Sequence, residues 1–101
     1  MKETTLCPRL SKAMELVGKR WTALIIYQLL EGPQRFNAIE SALPISGRLL
    51  SERLKELEKE GLVARTVYSE VPIRVEYNLT DKGLSLEQAV REIETWAKNW
   101  L

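Results

Sequence analysis

The stretch from Pro44 to Arg65, P-I-S-G-R-L-L-S-E-R-L-K-E-L-E-K-E-G-L-V-A-R, constrains the fold most, because the hydrophobic period changes at its end. Leu50, Leu54 and Leu57 share one side of a 3.6-residue period, which predicts a helix packed on a core. Ser46 stands where a side chain can cap the first free N–H groups. Ile45 and Leu50 occupy the positions of a hydrophobic staple. Gly61 ends the helix, because glycine adopts positive φ without strain. The face opposite the leucines carries Arg48, Ser51, Glu52, Lys55 and Lys59. On its own such a face reads as a solvated surface helix. After Gly61 the period becomes two. Val63, Arg65 and Val67 alternate with Ala64 and Thr66, Tyr68 to Pro72 forms a turn, and Val75, Tyr77 and Leu79 alternate with Arg74, Glu76 and Asn78. That pattern predicts a β-hairpin with one apolar face.

Shorter elements precede the stretch. Cys7-Pro8 opens a first helix, with Pro8 at N1 and Cys7 near the N-cap. Leu10, Met14 and Val17 share a face of it, and Gly18 ends it. A central, mostly buried helix is expected over about Trp21–Glu31, with Leu24, Ile25, Gln28 and Leu29 along one side. Gly32-Pro33 stops it. Gln34–Phe36 reads as a short extended piece. Asn37 and Glu40 form a capping-box-like pair at the start of a third helix, whose core face is Ala38, Ile39, Ala42 and Leu43. A last helix is expected over about 81–100, capped by Thr80. Its apolar positions Leu86, Ala89, Val90, Ile93, Trp96, Ala97 and Trp100 keep a near-heptad spacing.

The chain of 101 residues, 45% apolar, is long enough for one domain and one core. Its net charge of +1 is weak for a nucleic-acid binder. Residues 1–47 hold six basic and four acidic groups, 48–80 six and six, and 81–101 three and four, so a basic footprint must be local. Histidine is absent, the cysteine count is one, and the five glycines stand far apart. These facts remove His-based catalysis, multi-Cys zinc sites and phosphate-cradling loops, and no enzyme signature, cofactor or metal site is expected. No apolar run approaches the ~20 residues of a membrane span. The N-terminus lacks an apolar leader core, so a cytoplasmic location is expected.

The order is helix, helix, short strand, helix, helix, hairpin, helix. It predicts an α+β, mainly α fold: a winged helix-turn-helix over about 37–60, a wing over about 63–79, and added N- and C-terminal dimerisation helices, all in a single domain spanning 1–101. The motifs C-P at Cys7, G-K-R-W at Gly18–Trp21, G-P-x-R-F at Gly32–Phe36, L-x-E-R-L-K-E-L-E-x-x-G-L-V-x-R from Leu50 to Arg65, and V-E-Y-x-L-T-x-x-G from Val75 to Gly83 resemble the HxlR family of bacterial winged-helix regulators, which is related to the MarR type. The resemblance covers nearly the whole chain in order. It implies a homodimeric transcription factor, and it makes Cys7 the counterpart of an N-terminal cysteine that senses quinones, diamide or related electrophiles in some members. Relatives with a further C-terminal cysteine can bridge to it across the dimer. This chain ends in Trp100-Leu101 and has none, which leaves alkylation, a mixed disulfide with a low-molecular-weight thiol, or a Cys7–Cys7 bridge across the two-fold axis.

The expected DNA-binding residues are Ser46, Gly47, Arg48, Ser51, Arg53, Lys55 and Arg74. Arg pairs bidentately with guanine and Ser serves several base edges, whereas Lys55 suits a phosphate. Arg53 lies on the flank and has a second reading, a bridge to the third helix. Arg74 has one too, a pair with Glu76 or Glu70. Leu10, Met14, Ile93, Trp96 and Trp100 are the expected dimer interface. Trp21 and Phe36 are expected core anchors. For Cys7, a small buried hydrophobe stands against a reactive thiol at a helix start beside Arg9. Three function classes follow: a dimeric repressor of an inverted-repeat DNA operator with a thiol switch, a winged helix that binds protein, and a small thiol oxidoreductase. Arg48 with Lys55 speaks against the second, and the absence of a resolving cysteine against the third.

Overall fold

The computed structural model describes residues 7–101. Residues 1–6, on which the expectation about an N-terminal leader partly rests, lie outside the described residues. The order is α1 (Pro8–Val17), α2 (Thr22–Leu29), α3 (Phe36–Ala42), α4 (Gly47–Lys59), β1 (Val63–Tyr68), β2 (Arg74–Leu79), α5 (Asp81–Leu84) and α6 (Glu87–Trp100). The two strands pair antiparallel, with Val63 opposite Leu79 and Val67 opposite Val75. Gln34 adds a single isolated bridge to Tyr77, so the short extended piece lies beside β2 of the two-stranded wing.

The core sits where α2, α3 and α4 meet the root of the hairpin. Ile25, Ile26, Leu29, Ile39, Leu50, Leu54, Leu57, Leu62 and Val63 are its most buried side chains, with Trp21, Ile45 and Leu79 at its border. Phe36 packs against it from α3. The predicted leucine stripe of α4 is therefore the face that anchors that helix. Ser46 caps α4 through its hydroxyl, which accepts from the Leu49 N–H at 3.1 Å. At the other end Gly61 takes φ +76°. The Leu62 N–H then reaches the Leu57 carbonyl at 2.9 Å and the Gly61 N–H the Glu58 carbonyl at 3.0 Å, a Schellman closure.

Three expectations need correction. The helix expected over 81–100 is two helices. Thr80 caps only α5, accepting from the Gly83 N–H at 3.2 Å, and its hydroxyl donates to the Gly61 carbonyl. Gly83 is buried against the Leu62 carbonyl, where a Cβ would collide with backbone. This contact pins α5 to the root of the wing, and α6 starts afresh after Leu86. Asn37 does not cap α3. The helix begins one residue earlier, with Arg35 extended at the N-cap and no side-chain cap bond. Leu24 is not on the buried side of α2. Thr22, Ile25, Ile26 and Leu29 form the buried i, i+3, i+4, i+7 stripe, which turns Leu24 and Tyr27 outward.

Candidate nucleic-acid interface

Arg48, Ser51 and Lys55 lie opposite the buried stripe of α4. Arg48 is free to move, its side chain 91% exposed and only loosely paired with Glu52 at 3.7 Å. Lys55 is exposed and makes no ion pair among the described residues. Ser51 is half-buried between them. These three present one guanidinium, one hydroxyl and one ammonium on a single helix face, which suits base edges toward the N-terminal half and phosphate beyond it.

The other expected contacts are held differently. The Ser46 hydroxyl is engaged as the cap, so its oxygen is already in use. Gly47 is half-buried against α3, where a Cβ would press on the Glu40 carboxylate at 2.6 Å and approach Phe36 at 3.9 Å. Its role visible here is to let α3 and α4 approach closely. Arg53 is only 19% exposed along its side chain and pairs with Glu56 at 2.9 Å. Its Nε approaches the Arg20 carbonyl at 3.5 Å, so the bridge it makes runs to the α1–α2 turn and not to α3. Arg74 is held by Glu70 at 3.0 Å and Glu76 at 2.6 Å, and lies over the Tyr68 ring at 3.9 Å. That is the alternative reading of Arg74. The Glu70 carboxyl is held below the usual carboxylate range, first by the hydrogen bond from Arg74. The guanidinium is pushed up in turn, by Glu70 and then Glu76.

Two links tie this face to the rest of the molecule, and sequence reasoning missed both. Lys19, in the α1–α2 turn, bonds Glu56 of α4 at 2.8 Å. The Glu56 carboxyl is lowered by that bond first and by Arg53 as well. Tyr27 of α2 donates its hydroxyl to Glu94 of α6 at 2.5 Å, with Arg91 over its ring at 5.9 Å. The Glu94 bond raises the Tyr27 phenol above its ordinary 10.0. The partners stand 37 and 67 residues apart, beyond any local pattern.

The terminal helices carry the remaining expected sites. Cys7 is exposed, a free thiol at the N-cap of α1, with Pro8 at N1. α1 buries none of its residues, and Leu10 and Met14 are exposed. On α6, Leu86 and Val90 pack on the core. Ile93, Trp96 and Trp100 face outward, 62%, 56% and 75% exposed. Trp96 and Trp100 are thus not core residues.

A helix-turn-helix with an Arg–Ser–Lys face opposite its buried stripe, followed directly by a two-stranded wing, defines a winged-helix DNA-binding module. Comparison with known proteins gives the family. The model described as HxlR-like helix-turn-helix matches residues 16–101, and the chain belongs to the HxlR family of DNA-binding transcriptional regulators; it is not an enzyme. It is 56% identical over 102 residues to the HTH-type transcriptional regulator YvaP of Bacillus subtilis, covering 100% of this chain and 94% of the relative. It is 47% identical over 94 residues to the regulator YodB of the same organism, covering 92% and 84%. The reduced structure of YodB superposes with a TM-score of 0.84 at 44% identity, over 95% of each chain. YodB is also known in diamide-treated and quinone-bound structures. The oxidised redox regulator HypR superposes with a TM-score of 0.87 at 36% identity, over 92% of this chain and 96% of its own.

Proposed function

We propose that this chain is a homodimeric, sequence-specific repressor whose hold on an inverted-repeat operator is released by oxidation or alkylation of Cys7. The observation that carries the switch is the position of Cys7: an exposed thiol at the N-cap position of a helix that buries none of its own residues. A ten-residue helix is marginal alone in water, so α1 needs a partner surface. The outward faces Leu10–Met14 and Ile93–Trp96–Trp100 supply apolar area that a second copy would cover. The likeness to YodB, seen in diamide-treated and quinone-bound forms, supports the same chemistry at Cys7.

A quinone adds to the Cys7 sulfur through a new S–C bond, and the thiol proton ends on the reduced ring. Diamide instead takes two electrons and two protons from Cys7 and a small thiol, leaving a mixed disulfide. Either adduct adds bulk at the start of α1, on the dimer seam. The seam sets the separation of the two α4 helices, and the operator fixes the spacing they must match at about one helical turn. Rotation of the two halves therefore spoils simultaneous docking. Moving a bound population to a mostly free one requires about 5.5 kcal/mol of differential affinity. A gel shift on DNA from the gene's own upstream region, with and without diamide, tests the reading. Retardation that diamide abolishes is expected; retardation indifferent to diamide contradicts the switch, and no retardation contradicts local operator binding.

A further inference from the structure

The turn between α1 and α2 is fastened to one flank of α4. Lys19 Nζ reaches one Glu56 carboxylate oxygen at 2.8 Å, and Arg53 Nη1 reaches the other at 2.9 Å. Arg53 Nε also approaches the Arg20 carbonyl at 3.5 Å. We infer that Lys19 and Glu56 are positioning residues for DNA recognition: their bond sets the roll of α4 about its own axis, and so the direction in which Arg48, Ser51 and Lys55 point. The proposal rests on the recognition face of α4 and not on the thiol switch.

Leu50, Leu54 and Leu57 form a narrow buried stripe that holds α4 on the core. Burial is non-directional, so the angle of the helix is set more sharply from its flanks. One flank carries Gly47, whose missing side chain lets α3 approach; a Cβ there would press on the Glu40 carboxylate. At the helical period, Arg53 and Glu56 lie on the other flank. The N-terminal half of α4 is thus located by α3 and its C-terminal half by the α1–α2 turn. Arg48, Ser51 and Lys55 occupy the arc between the two flanks, opposite the stripe.

A directional bond positions a helix only if its anchor is rigid. Trp21 takes φ +81°, the one non-glycine residue in the left-handed region among the described residues. A bulky residue there is strained and persists only where its surroundings over-determine it. The Trp21 side chain is buried in the core, and the Arg20 guanidinium lies over its ring at 4.8 Å. Its carbonyl accepts the Ile25 N–H at 2.8 Å and opens α2. The turn is thereby held in one conformation, with Lys19 projecting from it. The Lys19 and Glu56 side chains are 46% and 35% exposed, so their bond adds little to stability. Its effect on DNA is therefore separable from its effect on folding.

The test is selectivity, the ratio of affinities for a duplex from the gene's own upstream region and a scrambled duplex of equal length, read by fluorescence anisotropy on reduced protein. Glu56→Gln should lower this ratio about fivefold or more, through weaker binding of the upstream duplex. The sign is diagnostic, because loss of a carboxylate near DNA by itself strengthens binding to both duplexes. Lys19→Met should lose the same selectivity, and the double variant no more than either alone, because all three remove one bond. Glu60→Gln makes the same charge change on an exposed side chain without an ion pair among the described residues, and should leave the ratio as in the parent. Urea unfolding checks each variant, and a smaller folded fraction would weaken both duplexes equally and leave the ratio unmoved. A parent that does not prefer the upstream duplex defeats the recognition face itself, and the proposal with it. A selective parent with an equally selective Glu56→Gln variant, or losses that add in the double variant, overturns the positioning role alone.

Discussion

Arg48 and Lys55 differ from Arg53 and Arg74 in what already holds them. Removing an exposed, loosely paired Arg48 leaves the fold intact, so Arg48→Ala should relax sequence preference and cost ~1–3 kcal/mol per half-site. Lys55→Ala should weaken all sequences alike and flatten the salt dependence by about one counterion per half-site. Binding isotherms across several salt concentrations distinguish the two, and an Arg48→Ala protein as selective as the parent would remove Arg48 from the interface. Tyr27 offers a spectroscopic check on the link to α6. Its phenol is raised above 10.0 by Glu94, so the bond stabilises the fold fully below that pH. The contribution is lost as pH rises through the folded-state value, because the unfolded tyrosine ionises first. Ultraviolet titration should therefore show one tyrosine ionising late, and Glu94→Gln should return it toward its ordinary range. An unchanged titration in that variant would mean that Glu94 is not the cause.

At the scale of elements, the caps carry the prediction. Ser46→Ala removes the acceptor for the Leu49 N–H and should lower stability by ~0.5–2 kcal/mol in urea unfolding. Gly83→Ala should cost more, about 1–3 kcal/mol, because the added Cβ meets the Leu62 carbonyl backbone and not a flexible side chain. If Gly83→Ala unfolds no more easily than Ser46→Ala, the contact between α5 and the wing root is looser than described. What the sequence made legible follows the same division. The α4 stripe, the Ser46 cap and the hairpin register rest on local periods and were readable. The division between α5 and α6 was not, because the apolar spacing continues across Ser85 and Leu86 while the break is imposed by Gly83 against a strand root 21 residues earlier. The α3 start was misread because Asn37 and Glu40 match a capping signature, yet the helix already includes Phe36, which packs on the core. On the candidate interface, spacing put Arg48, Ser51 and Lys55 on one face. It could not show that Arg53 turns to the Arg20 carbonyl, a contact across 33 residues.

At the scale of the whole molecule, three parts are joined in one chain: a polar face on α4, terminal helices with outward apolar faces, and a thiol at the start of one of them. Through the Lys19–Glu56 and Tyr27–Glu94 bonds, the α1–α2 turn is bonded directly to the recognition helix, and α6 to α2. The dimer itself is open to sedimentation in the absence of DNA: two copies per particle are expected at micromolar concentration, and a monomer there would contradict the seam. The central claim is tested most directly by operator binding of the parent and Cys7→Ser proteins, followed by fluorescence anisotropy before and after diamide with a small thiol present. Intact mass records the adduct on the same samples. The account predicts equal binding at first, then release of the parent alone, in step with the mass gained at Cys7. Release of Cys7→Ser as readily as the parent, or full modification of the parent without release, would contradict it.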